Sequence, residues 1–95
     1  TTPLYIACQN GHVDAARLVL DKGAKVDRAD KWGQTPLFIA CYNSHVDAAR
    51  LLLDKGAEVD RANKDGKTPL SIAKERGHSS IVALLAEHTR RRGGN

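Results

Sequence analysis

The sequence predicts an all-α solenoid, built from short helix-turn-helix units that stack on one another and are joined by extended, hairpin-like turns. Two observations predict it. The tripeptide Thr-Pro-Leu occurs at Thr2-Pro3-Leu4, Thr35-Pro36-Leu37 and Thr68-Pro69-Leu70, with a period of 33 residues both times. Other positions recur in phase: Ile6-Ala7, Ile39-Ala40 and Ile72-Ala73, then Gly11-His12, Ser44-His45 and Gly77-His78. A fixed period of this size marks a repeat architecture, in which each unit buries its apolar side against its neighbours.

Each unit reads as turn, short helix, loop, longer helix. In the central unit, Thr35 is placed to cap a helix, its hydroxyl accepting a backbone N–H. Pro36 follows as the first helical residue, where its missing N–H leaves no donor unpaired. Leu37, Ile39, Ala40 and Cys41 form the buried side of this helix. Residues 46–55 form the second helix, with Ala48, Ala49, Leu51, Leu52 and Leu53 turned inward. Asp47 and Arg50 are three apart on its outer face, and Arg50 and Asp54 four apart, both spacings at which helical side chains meet. Gly56 supplies the left-handed residue that ends it. Residues 57–67, the counterpart of 24–34, carry Asn63 and Gly66 and read as an extended turn. The alanines let neighbouring helices approach closely.

The first two units are near copies: residues 2–34 and 35–67 differ at 8 of 33 positions. The turn that should precede Thr2 is absent, so the chain is expected to be a piece of a longer one or a trimmed form. With no polar replacements on it, the upstream side of the first unit is expected to expose Leu4, Ile6, Val13 and Leu18, and it offers a route to self-association. The third unit departs in an ordered way. Lys74 replaces Cys8 and Cys41, Ser79-Ser80-Ile81-Val82-Ala83 replaces Val-Asp-Ala-Ala-Arg, and Thr89 replaces the closing glycine. Polar replacements on one face make this unit a terminal cap. The array is expected to end near His88, with a disordered basic tail over residues 90–95.

Composition agrees with a small core of Leu, Val, Ile and Ala, because the aromatics are only Tyr5, Trp32, Phe38 and Tyr42. No apolar run approaches the roughly 18 residues of a membrane span, so no membrane role is expected. The net charge is +4, of which Arg90, Arg91 and Arg92 supply three. The remaining charges alternate along the chain, whereas a nucleic-acid-binding face needs clustered cations. Cys8 and Cys41 occupy equivalent positions one repeat apart, beyond the roughly 7 Å limit for a disulfide. They read as small buried hydrophobes of a reduced, cytoplasmic or otherwise intracellular protein. No phosphate loop, paired-carboxylate site or Ser/His/Asp arrangement is present to support catalysis, a cofactor or a small-molecule substrate. His12, His45 and His78 invite a metal reading. Stacked helices lie about 8–10 Å apart, however, and zinc needs its ligands at 2.0–2.1 Å from one centre.

These in-phase motifs strongly resemble three consecutive ankyrin repeats: residues 1–34, lacking the leading turn, then 35–67, then the cap at 68–89. The resemblance implies a non-catalytic protein-protein interaction module that binds a protein partner through its concave and turn-tip surface. A structural spacer, a slice of a longer array whose binding surface lies elsewhere, is the alternative. The family's usual contact positions fall in the central unit on Lys31, Trp32, Gln34, Tyr42 and Asn43. Gln9 and Asn10 flank them from the first unit, and Lys64, Asp65, Lys67, Glu75 and Arg76 from the third. Trp32 is a large aromatic at a turn tip, where the next unit has Asp65. The recurring histidines are expected to support hydrogen bonding in the loops. Tyr5 and Phe38 stand where the motif usually has histidine, and their rings are expected to pack.

Overall fold

The computed structural model describes residues 1–93, and the side chains of residues 1–91. Six helices form among them: α1 (Pro3–Gln9), α2 (Val13–Asp21), α3 (Pro36–Tyr42), α4 (Val46–Asp54), α5 (Pro69–Glu75) and α6 (Ser79–Gly93). No strand occurs among the described residues. The helices pair in order, α1 with α2, α3 with α4 and α5 with α6. The pairs stack, with α3 between α1 and α5 and α4 between α2 and α6.

Helices of seven residues are too short to persist alone, so caps and tertiary packing must hold α1, α3 and α5. The caps are those the threonines predict. The hydroxyls of Thr2, Thr35 and Thr68 accept from the amides of Tyr5, Phe38 and Ser71, each at 3.1 Å. In α5 the Ser71 hydroxyl also accepts from the Thr68 amide at 2.8 Å, closing a reciprocal capping box. Gly11, Ser44 and Gly77 follow the first helices at φ of 73, 61 and 74°, so the chain turns through the left-handed region there. Lys55, expected inside the second helix, is the C-cap of α4, and Gly56 follows at φ 92°.

The core is aliphatic and runs through all three pairs. Leu37, Ala40, Cys41, Ala49 and Leu52 of the central pair are fully buried, and Phe38 is 2% exposed. Tyr5 is buried as well, so both rings at the motif's histidine position pack. Two expectations need correction. Leu4 is buried in the core and Val13 is half-buried, so of the four side chains expected on the upstream side Ile6 and Leu18 are the exposed ones. The tail expected to be disordered from residue 90 is helical as far as Gly93, because Thr89 provides no left-handed stop and α6 runs on. Arg90 and Arg91 lie 3.9 and 3.8 Å from the Glu87 carboxylate, one turn back. Cations suit the negative end of a helix dipole. Gly94 and Asn95, the last of the expected tail, lie outside the described residues.

Candidate functional site: turn tips and first-helix face

The turn that carries Trp32 is organised by Asp30. One carboxylate oxygen accepts from the amides of Trp32 and Gln34, each at 2.9 Å. The Asp30 amide donates to the Gln34 carbonyl at 2.9 Å, and the Gly33 amide to the Asp30 carbonyl at 3.0 Å. The next turn repeats this device with a neutral residue: the Asn63 side-chain oxygen accepts from the amides of Asp65 and Lys67 at 2.9 and 3.0 Å. The tips are joined by the Lys64 amide, which donates to the Trp32 carbonyl at 2.9 Å. Gly33 is required at this junction. Its φ is +78°, and a Cβ would come within 3.3 Å of Asn63 Cα and of the Lys64 nitrogen.

With its backbone held in this way, Trp32 projects outward and is 56% exposed. The Lys31 ammonium lies 4.5 Å from the ring centroid. Gln34 is half-buried, and its side-chain oxygen accepts from the Tyr5 hydroxyl at 3.0 Å. Burial, and then the Asp30 carboxylate, push the Tyr5 hydroxyl from 10.0 up to about 12. Part of Gln34 is thereby committed to the fold.

On the first-helix face, Tyr42 is half-buried. Its ring centroid lies 6.4 Å from that of Phe38. Arg76 of the next unit lies over the Tyr42 ring at 4.1 Å, within range of a cation–π attraction. Asn43 donates through Nδ2 to the Gln9 carbonyl at 3.1 Å. Lys67 pairs with Glu75. Gln9, Asn10, Lys64 and Asp65 are exposed. The structure therefore brings together Tyr42 with Arg76, Asn43 with Gln9, and Lys67 with Glu75. No described contact joins the Trp32 group to the Tyr42 group.

The histidines form a ladder between units. Nε2 of His45 donates to the Gln9 carbonyl at 3.1 Å, and Nε2 of His78 to the Tyr42 carbonyl at 3.0 Å. Both rings therefore carry the proton on Nε2. Among the described residues no group of three His, Cys, Asp or Glu side chains could hold a metal ion. Cys8 and Cys41 are free and buried, and desolvation pushes both thiols from 9.0 up to about 12. Such thiols are poor nucleophiles at neutral pH, because the thiolate is the reactive form.

Sequence reasoning missed three contributors: Asp30 as the organiser of the Trp32 turn, Ser71 as a capping partner, and Arg61, which donates to the Asp27 carbonyl at 3.3 Å. The signal for the first was its pairing with Asn63 across the repeat, since Asp and Asn both hydrogen-bond their own turn backbone. No described helix is long and apolar enough to cross a membrane. No curated protein matches the chain. The family described as ankyrin repeats (3 copies) matches residues 1–63, about two thirds of the length. Its members are generally protein-interaction modules and typically non-catalytic. With the helix pairs, Thr-Pro caps and inter-unit histidine bonds in place, this match shows that the chain belongs to the ankyrin-repeat family.

Proposed function

We propose that the chain is a non-catalytic protein-binding module, and that its partner meets the Trp32 tip, which leads into α3, together with the first-helix face of the central unit. The observation that supports this most is Trp32. A large aromatic side chain stands more than half exposed on a turn whose backbone is hydrogen-bonded on both sides. Trp, Tyr and Arg are enriched among residues that dominate binding energy. A surface fixed before association also loses little entropy on binding. Tyr42 with Arg76 forms a second aromatic–cation pair, on the first-helix face. The units are proposed as 1–34, 35–67 and 68–89. The two buried, unpaired thiols suit a reducing, intracellular compartment. With its cations spread along the chain, the protein is proposed not to use nucleic acid as its main partner.

The test is capture of the partner by the wild-type chain and by variants. Truncating a dominant contact typically costs about 2 kcal/mol, near a thirtyfold loss of affinity. Trp32→Ala and Tyr42→Ala are expected to weaken capture by about that factor, with the Trp32→Ala melting temperature nearly unchanged. Arg17 and Arg50 form exposed pairs with Asp14 and Asp47 at 3.1 and 2.9 Å. Pairs of this kind contribute about 0–1 kcal/mol. Arg17→Ala and Arg50→Ala are expected to leave capture intact. Loss of capture by the arginine variants alone would put the partner on the helix outer face, and loss by none would favour a spacer.

A further inference from the structure

We infer, resting on the tip-binding function proposed above, that the Trp32 tip takes an acidic segment of its protein partner. That segment sets an apolar side chain against the indole and carboxylates against the ammoniums of Lys31 and Lys64.

The backbone amides of the two tips are already spent. Those of Trp32 and Gln34 donate to the Asp30 carboxylate, and that of Gly33 to the Asp30 carbonyl. In the next tip the amides of Asp65 and Lys67 donate to the Asn63 side chain, that of Gly66 to the Asn63 carbonyl and that of Lys64 to the Trp32 carbonyl. Asp30 is half-buried, its carboxylate turned into its own loop, and Asn63 fills the same role without a charge. Side chains are therefore what the tips present to a partner.

Those side chains are mostly donors. Residues 28–34 and 61–67 carry five cations and two carboxylates, so the tips are basic. Arg61 is engaged by the Asp27 carbonyl and Lys67 by Glu75. Lys31 and Lys64 are exposed and occupy equivalent positions. Neither has a carboxylate partner among the described residues, whereas Arg17, Arg50, Lys55 and Lys67 each face one. Both lysines flank the indole. The Lys31 ammonium lies 4.5 Å from its centroid, and the Lys64 amide is bonded at 2.9 Å to the Trp32 carbonyl. The indole itself is 56% exposed, and its N–H can only donate. With Asp30 spent, the remaining carboxylate is Asp65, exposed at the position equivalent to Trp32.

This arrangement selects its occupant by chemistry. An apolar side chain covers the open part of the ring. A purely apolar segment would crowd water away from two ammoniums and give them no acceptor, which costs free energy. A basic segment would be repelled, since like charges across an interface disfavour association. Carboxylates on either side of the apolar residue satisfy both lysines. Single-stranded nucleic acid asks for a different surface, a cationic groove with successive aromatic platforms for its bases. Here Trp32 has no such companion: the Tyr42 ring is half-buried, and Arg76 lies over it at 4.1 Å.

The test uses capped peptides that differ in charge alone: Gly-Glu-Glu-Leu-Glu-Glu-Gly, the same peptide with glutamine for glutamate, and the same with lysine for glutamate. Each is titrated into the chain while the amide shifts of Gly33, Lys64 and Gly66 are followed, with the emission of Trp32, the single tryptophan, as a second readout. The acidic peptide is expected to move these signals and to bind about fivefold or more tighter than the neutral one, with the lysine peptide inert. Raising the ionic strength from about 0.01 M to about 0.1 M shortens the screening length from roughly 30 to roughly 10 Å and is expected to weaken the acidic peptide alone. Lys31→Gln and Lys64→Gln are each expected to weaken it about two- to fivefold, the range of exposed ion pairs, and Asp65→Asn to tighten it. Arg50→Gln is expected to change nothing. Equal binding of the acidic and neutral peptides would overturn the inference and leave the tip-binding function standing. Absence of any shift with the acidic peptide would overturn it, as would unchanged affinity in Trp32→Ala, which would place the peptide elsewhere. An oligothymidylate that moves the same amides at lower concentration would overturn it in favour of nucleic acid. The proposed function is tested separately, by capture of the partner itself.

Discussion

Ser44 and Gly11 occupy equivalent turns, and their surroundings give opposite expectations for substitution. Ser44 is the one non-glycine residue with a positive φ among the described residues, at 61°. A side chain in that region costs roughly 1–2 kcal/mol. Ser44→Gly is expected to raise the melting temperature or leave it unchanged. Gly11 has φ +73°, and a Cβ there would stand 2.7 Å from His45 Nδ1. The ring has little freedom to retreat while it donates to the Gln9 carbonyl. Gly11→Ala is therefore expected to destabilise by about 2 kcal/mol, combining backbone strain with a lost inter-unit hydrogen bond. Thermal melts of the two variants check both signs, and a stable Gly11→Ala protein that keeps the His45 bond would refute this account. The buried thiols give a pH expectation. Cys8 and Cys41 have folded values near 12 against 9.0 when solvated, so above pH 9 the unfolded chain releases protons that the folded chain retains. Their contribution is fully present below pH 9 and is lost as pH rises through the window from 9 to 12, by at most about 1.4 kcal/mol per group per pH unit. Denaturant midpoints measured from pH 7 to 10.5 should fall above pH 9, and less steeply in a Cys8→Ala, Cys41→Ala double variant.

At the scale of elements, the short helices were legible because their signals are local. A threonine hydroxyl, a proline at the first helical position and a small residue at the left-handed turn each act within four residues. The buried side of α4 was legible from the helical spacing of Ala48, Ala49, Leu51, Leu52 and Leu53, all of which are buried. What stayed hidden depended on a neighbour or on an absence. The bond between Tyr5 and Gln34 joins residues 29 apart, and nothing in either residue announces it. Arg76 over Tyr42 likewise needs the stacking geometry before it can be seen. A run of arginines and glycines resembles a tail, yet α6 extends through it as far as Gly93. With threonine in place of glycine at position 89, nothing obliges the helix to stop, and Glu87 lies within reach of Arg90 and Arg91. This sets an expectation for α6. Thr89→Gly restores the residue that ends α2 and α4 and is expected to end α6 near residue 88. The backbone carbon shifts of Arg90 and Arg91 should then move from helical to coil values. Shifts that stay helical would mean that these arginines hold the last turn without help from Thr89.

Across the whole molecule, stability in a stacked array is close to a sum of unit terms and nearest-neighbour interfaces. The central pair has a neighbour on each side, and its core shows it: Leu37, Ala40, Cys41, Ala49 and Leu52 are fully buried. The third unit has one neighbour, but its free face carries polar replacements, and Ile81 and Leu85 remain buried. The first unit also has one neighbour, with Ile6 and Leu18 in water on the other side. Moving a large aliphatic side chain from exposed to buried is worth about 1.5–3 kcal/mol, so partial exposure of two such residues removes a few kcal/mol of support from that end. Local opening should follow this gradient, since exchange occurs through the least costly opening available. In the monomeric protein, the amides of α1 and α2 are therefore expected to exchange faster than the matching amides of α3 and α4. The comparison is well controlled, because the two units differ at only 8 of 33 positions and the helices match in length. Equal or slower exchange in α1 and α2, in a chain shown by sedimentation to be monomeric, would mean that the exposed upstream face costs the fold little and that the Thr2 cap, with the left-handed Gly23 after α2 (φ 99°), suffices to hold the end.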